Sequence, residues 1–327
     1  MSIYLWLLWW VVLAGHLGPV QAQETERRVF TMGTWLDVHA DSPATAETAI
    51  RQIEHAASVL SRWQPGSEIA RMNAREPIAV SSSLVSNALV RAAKWQRWSD
   101  GAFQFRDGKG QLDTDAFAKG AALDQAIKAC TATATGQLTL NFGGQVAVAG
   151  REQARWSGQL SAPMQRSALQ RSAPLQGDQA GASAARLELG SGSFSSSGNA
   201  VKPGHIRDPE TGQPVLTRGQ VTVWATNAFD ADCASTACFV LGPERALNKV
   251  NSTPDLECCF EWFEQQNGKL IARRLVSKHW NNFCRAHPTS HETKAEGRAT
   301  TERATTDDEK PEGRTSTKTE RRTSTNH

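Results

Sequence analysis

Hydrophobic and polar positions along the chain alternate in two different periods, and the changes between them mark the elements. Arg27 to Ala40 reads as a strand interrupted at Met32-Gly33-Thr34, where a glycine lets the backbone approach another group closely. Ala44 to Trp63 carries Ala46, Ala49, Ile50, Ile53, Ala56, Ala57 and Leu60 at steps of three and four, the period of an amphipathic helix. A second helix presents Leu84, Val85, Ala88, Leu89, Ala92 and Trp95 on one face, with Ser81 to Ser83 offering N-cap hydroxyls. A polar, glycine-bearing link from Arg106 to Leu112 leads to a third helical stretch over Ala116 to Ala129.

Beyond it, Leu138, Leu140 and Phe142 alternate, Gly143-Gly144 breaks the run, and Val146 and Val148 resume it, which predicts a strand pair. Ser161 to Ala185 has no period and reads as a surface loop. Order returns with Arg186 to Phe194, the turn-rich Gly204 to Pro214, a strand over Gln220 to Thr226 and a helix from Phe229 to Leu241. His291 to His327 has no apolar side chain larger than alanine or proline, so it cannot offset its ordering entropy and is expected to be disordered. The resulting division is a leader over 1–22, one folded domain over 23–287 and a charged tail over 288–327. No internal repeat is visible.

Composition narrows this picture. At 327 residues and 39% hydrophobic content the chain is long enough for one sizeable domain or two lobes sharing a core. Its 36 basic and 33 acidic residues are well mixed, without a basic stripe, which argues against a nucleic-acid partner. Ile3 to Ala14 is apolar but short for a bilayer span, and Val20-Gln21-Ala22 fits a small-residue cleavage site, so the expectation is export to the periplasm with cleavage after Ala22. The alternative is an uncleaved anchor in the inner membrane, because no Lys or Arg precedes the apolar run. The cysteines Cys130, Cys233, Cys238, Cys258, Cys259 and Cys284 show no C-x-x-C or zinc-ligand spacing and read mostly as small buried apolar residues, with pairing left open.

Three stretches carry candidate chemistry. In the helix after Thr226, Asp232, Ser235 and Thr236 stand at i, i+3 and i+4, so a carboxylate and two hydroxyls share one face near the helix's positive end. Hard oxygen donors of this kind suit magnesium, although capping by Asp230 or Asp232 and back-bonding by Thr236 account for the same residues plainly. Gly204 to Pro214 predicts a tight turn that holds His205 and Arg207. Asp113 to Asp124 places carboxylates before a helix, Lys119 within it, and Gly120 where a glycine costs helix stability unless a neighbour needs the room.

In this order the stretches resemble the ApbE family of flavin transferases. The resemblance runs through Met32-Gly33-Thr34, Leu60 to Asn73, Asp100-Gly101-Ala102-Phe103, Asp113 to Asp124, Leu140 to Gly144, Ser197-Gly198-Asn199, His205 to Gly212 and Ala231 to Thr236. It implies an α+β fold, two mixed α/β lobes with FAD in the cleft between them. By motif match, Met32, Trp63, Ala102, Phe103, Gln104, Asp113 and Lys119 would line the flavin nucleotide. Asp232, Thr236 and the Ala116 carbonyl would hold Mg2+, and His205 would stand near the pyrophosphate as the proton-transfer candidate. The implied reaction cuts FAD to AMP and joins FMN by a phosphoester to a threonine of an acceptor, an exported or membrane-bound redox protein; the alternatives are a FAD pyrophosphatase that releases FMN and AMP, and a non-catalytic relative that only binds FAD. The chain departs from the family at Gln104, where an Asp is usual, at Ala121, where a Tyr is common, and in the short Phe105–Leu112 link, which replaces a longer insert.

Overall fold

The computed structural model describes residues 24–77, 81–131, 137–150, 156–159, 186–199, 204–215, 219–266 and 269–283. The expected leader, the Ser161–Ala185 loop and the charged tail lie outside the described residues. Strand β1 (Thr25–Thr31) pairs antiparallel with β2 (Thr34–Ala40) along its whole length, which corrects the expectation of one interrupted strand. Met32 and Gly33 form the turn with φ of 46° and 76°, the left-handed pair that two-residue hairpins favour. Among the described residues, no atom beyond its chain neighbours lies within 4 Å of where a Gly33 Cβ would stand. That glycine therefore supplies backbone conformation.

Helix α1 (Pro43–Leu60) begins where the Ser42 hydroxyl accepts the Thr45 N–H at 3.2 Å, with Pro43 in the first turn. Its buried face is Ala46, Ala49, Ile50, Ile53, Ala56 and Leu60, the stripe expected from the period. The short α2 (Glu68–Asn73) is capped by Ser67, α3 (Ser83–Trp98) by Ser82, and α4 (Ala118–Thr131) follows. Strands β3 (Leu138–Phe142) and β4 (Gln145–Ala149) form the expected pair. A separate ribbon joins β5 (Trp156–Gln159) to β6 (Arg186–Leu189). Then come β7 (Gly192–Gly198), β8 (Gly219–Ala225), α5 (Ala228–Leu241), α6 (Pro243–Val250), β9 (Leu256–Gln266), β10 (Lys269–Val276) and the single turn α7 (Trp280–Phe283).

One antiparallel sheet of eight strands results, in the order β1-β2-β3-β4-β7-β8-β9-β10. Strand alternation sends Leu36, Val38, Leu140, Phe142, Ala147, Val221 and Val223 to the helical side, and Val146, Val148, Phe194 and Trp224 to the other, where Trp280 covers them. The helical side holds two core clusters that share α5: Ala228, Phe229, Cys233 and Ala237 face the first, and Ala231, Ala234, Cys238 and Leu241 face the second. A helix apolar on nearly every side belongs in the interior, so the few polar residues of α5 stand out. The described cysteines are buried, as expected for most of them, and none of them forms a disulfide among the described residues, a point the spacing left open.

Candidate active site

The N-terminus of α5 is closed by the protein itself. Asn227 accepts the Asp230 N–H at 2.9 Å, and Asp124 of α4 accepts the Ala228 N–H at 2.7 Å and the Phe229 N–H at 3.3 Å. Arg91 of α3 holds Asp124 at 2.9 Å and lies 4.1 Å from the Phe229 ring centroid. Asp230 is taken by the Trp95 indole N–H at 2.8 Å and by Arg91 at 3.3 Å. The anion that the helix dipole attracts is thus Asp124, and the cap is Asn227; neither Asp230 nor Asp232 caps the helix.

Asp232 is buried and points between elements. One carboxylate oxygen accepts the Gly120 N–H at 3.0 Å, and the other lies 3.4 Å from the donating Ser195 hydroxyl of β7. Burial raises its pKa above the ordinary carboxylate value, while the Lys119 charge and the Gly120 N–H oppose that rise. Gly120 is where the expected need for room is met: a Cβ there would stand 2.5 Å from the Ala228 oxygen and 2.8 Å from the Phe229 Cα. In a regular helix the Gly120 N–H would bond the Ala116 carbonyl. Here the first bonds run from Ala118 N to Thr114 O and from Ala121 N to Phe117 O. Gly120 gives its proton to Asp232, which leaves the Ala116 carbonyl outside the ladder among the described residues.

These groups fit a hard divalent cation. A buried carboxylate, a carbonyl outside the helix ladder and the half-buried Thr236 one turn after Asp232 are all oxygen donors. Among the described residues no cluster of three or more His, Cys, Asp or Glu side chains is suited to a metal. A cation here would rely on one carboxylate, neutral oxygens and its ligand's own phosphates, the habit of magnesium. Ser235 does the back-bonding expected of Thr236, donating to the Asp232 carbonyl at 3.0 Å, and its hydroxyl lies 3.2 Å from Ser195 and 2.9 Å from Ser197. A hydroxyl chain therefore runs from Asp232 to the end of β7.

A second group of predicted residues assembles at the other end of the Asp113–Lys119 segment. Asn73 fixes the close of the Arg106–Leu112 link, its side chain accepting the Leu112 N–H at 2.7 Å and donating to the Leu112 carbonyl at 3.0 Å. Thr114 donates to the Leu60 carbonyl at 2.7 Å. Asp113 is bridged by Arg62 at 2.8 Å, with burial raising its pKa against the Asp115 N–H bond. Trp63 is 70% exposed. Asn73, Arg62 and Asp115 enter the sequence reading only inside longer motifs; an amide or guanidinium that reaches across the fold has no local signature.

The remaining candidates divide. Met32 is half-buried at the β1–β2 turn, packed against the first core cluster. Ala102 packs against the second. Gln104 is bound at 2.7 Å by Gln96 and donates to the Gly101 carbonyl at 3.0 Å. Phe103 has its side chain fully buried in the first cluster. His205 is exposed on the expected turn. That turn is fastened by Asn199, which accepts the Gly204 N–H at 3.1 Å and donates to the Val215 carbonyl, and by Ile206 in the second cluster. Asn199 lies two residues after the Ser197 that ends the hydroxyl chain.

The family model described as the ApbE family matches this chain over residues 32–109 and 104–260, two stretches that meet at the short link. The FAD:protein FMN transferase of Treponema pallidum (strain Nichols) is 29% identical over 179 residues, 46% of this chain and 43% of that protein, so the chain spans less than half the length of that curated relative. Among solved structures, the flavin transferase ApbE from Vibrio cholerae superposes with a TM-score of 0.63 at 19% identity, covering 80% of this chain and 99% of that one. The apo flavinyl transferase ApbE of Pseudomonas stutzeri gives 0.63 at 20% identity over 83% of this chain and all of that chain (100%). The ApbE protein of Thermotoga maritima gives 0.60 at 20% identity over 80% and 99%. These likenesses establish a mixed α/β fold built on an antiparallel sheet, and with the model match across most of the folded chain they place this protein in the ApbE family.

Proposed function

We propose that this chain is a magnesium-dependent flavin transferase that takes FAD, releases AMP and joins FMN by a phosphoester to a threonine of an acceptor protein. The observation that carries the reading is the buried Asp232 carboxylate, set against the Gly120 N–H and the Lys119 charge, with the Ala116 carbonyl left outside the helix ladder among the described residues. The family and the activity named for the Treponema relative support it. Mg2+ held by Asp232, Thr236 and the Ala116 carbonyl would supply neutralising charge for a pyrophosphate. Lys119 adds a cation to the same place, and Trp63 offers an exposed aromatic face to one of the rings. The threonine oxygen forms the new bond to the phosphorus on the riboflavin side, the pyrophosphate P–O bond breaks, and AMP leaves. The hydroxyl proton passes to His205, the imidazole on the fastened turn. Positioning and charge stabilisation supply most of such a rate enhancement, so few reacting side chains are required. The acceptor is an exported or membrane-bound redox protein, reached in the periplasm after the leader is removed or while it tethers the chain.

A second reading, FAD hydrolysis to FMN and AMP in the same site, is favoured by the short link, which closes as a tight turn with Arg106 bridged to Leu112 in place of a longer pocket wall. Following AMP release from FAD and Mg2+ with and without an acceptor domain separates the two. Transfer requires release that depends on the acceptor; equal release in its absence means hydrolysis, and no release in either case removes the catalytic reading.

A further inference from the structure

We propose that Arg62 and Asp115 are positioning residues that hold the Trp63 indole as a one-sided stacking platform for an aromatic ring of FAD, an inference that rests on the FAD reading above. The Trp63 backbone N–H donates to the Ser61 hydroxyl at 3.2 Å, and the indole N–H donates to Asp115 at 3.2 Å. The Arg62 guanidinium lies 4.3 Å from the indole centroid. Arg62 is itself fixed by Asp113 at 2.8 Å and Asp115 at 3.6 Å. Backbone, ring edge and one ring face are thus all restrained while the residue remains 70% exposed.

Fold stability does not explain this arrangement. An indole so exposed buries little apolar surface, and the Arg62–Asp115 pair, whose carboxylate is 56% exposed, contributes about 0–1 kcal/mol. What the restraints do accomplish is preorganisation: a ring fixed before binding loses little rotamer entropy when a ligand stacks on its free face. The chemistry of the cluster also selects the part of the ligand. Two carboxylates, Asp113 and Asp115, stand against the single Arg62 guanidinium. Such a cluster repels a phosphate and leaves the aromatic face as its attractive surface. A guanidinium behind the indole and a planar ring before it form a three-layer stack.

The test titrates FAD against the intact chain and follows flavin fluorescence, alongside steady-state AMP release. Trp63→Ala is expected to weaken FAD binding about 5- to 100-fold, the range of losing one stacked aromatic. Asp115→Ala, which frees the indole edge, is expected to weaken it about 3- to 10-fold, with the change in KM and not in kcat. Asp115→Asn keeps an oxygen to accept the indole N–H and should restore affinity to within about 2-fold of the unaltered chain. In the Trp63→Ala background, Asp115→Ala should add less than about 2-fold, because the platform it orients is gone, whereas Arg62→Ala also releases Asp113 and does not serve this comparison. Full additivity in that background, equal losses in Asp115→Asn and Asp115→Ala, or wild-type affinity in Asp115→Ala would each overturn the inference while leaving the FAD reading intact. Failure of the unaltered chain to bind FAD overturns both.

Discussion

Replacing Gly120 by alanine sets two physical effects against each other with opposite signs. Helix propensity alone favours the change by about 1 kcal/mol, since glycine in a helix interior is the poorer residue. The structure opposes it. The new Cβ would stand 2.5 Å from the Ala228 oxygen, 2.9 Å from the Ala228 carbonyl carbon and 2.8 Å from the Phe229 Cα. All three are backbone atoms of α5 and cannot swing aside, so α4 and α5 must separate by about 1 Å to reach ordinary contact. Overpacking of this kind costs about 1–3 kcal/mol. Separation also lengthens the 3.0 Å bond from the Gly120 N–H to the Asp232 carboxylate, a charged hydrogen bond worth about 1.5–3 kcal/mol. The balance is a loss of about 1.5–5 kcal/mol, or roughly 2–4 °C of Tm for each kcal/mol in a domain of this size. Urea unfolding of the two proteins, with AMP release measured in parallel, checks both consequences. Gly120→Ala as stable as the unaltered chain, or more stable, would refute the claim that this helix crossing demands a glycine.

Further expectations follow from single contacts. Asp232→Ala should abolish magnesium-dependent AMP release from FAD while the chain still folds, as judged by circular dichroism; unchanged release would remove Asp232 from the cation site. Asn73→Ala strips the Leu112 N–H and carbonyl of their partner and should cost about 1–3 kcal/mol in denaturant unfolding, with KM for FAD raised as the end of the link next to Asp113 loosens. Glu261 is pushed above its ordinary 4.5 by burial, opposed by Arg274 and the Gln220 hydrogen bond. The unfolded chain ionises there first, so this residue's contribution to stability is greatest in acid and declines as pH rises from the ordinary value through the raised one. Glu261→Gln should therefore lower Tm at about pH 4 relative to Tm at about pH 7, compared with the unaltered chain; an unchanged value of Tm(pH 4) minus Tm(pH 7) would contradict the assignment.

What could be read before folding was local. The steps of three and four in α1 and α3 mark their buried faces because a surface helix must hide one stripe. Gly120 announced a close approach, and Asp232 with its neighbours announced an oxygen-rich helix face. Contacts made over long sequence distances carry no such mark. That Asp124 closes the N-terminus of α5, leaving Asp232 free to face Gly120, follows only once two helices cross. The β1–β2 hairpin was masked because Met32, a residue uncommon at positive φ, occupies one of its two turn positions. Phe103 sits in a motif associated with a ligand, and its ring is buried in the core, a placement that only the fold reveals. Strand β9 alternates Leu256, Cys258, Phe260 and Trp262, but Cys259 on the opposite face blurs the contrast on which a period-two reading depends.

The most direct test of the central claim is transfer itself. The chain is incubated with FAD, magnesium and an acceptor domain, and with the same domain carrying valine in place of its target threonine, and flavin fluorescence is read in a denaturing gel. The account predicts a fluorescent band on the threonine acceptor alone, matched by AMP and lost with Asp232→Ala. AMP without any fluorescent band, or a band that persists with Asp232→Ala, would contradict it.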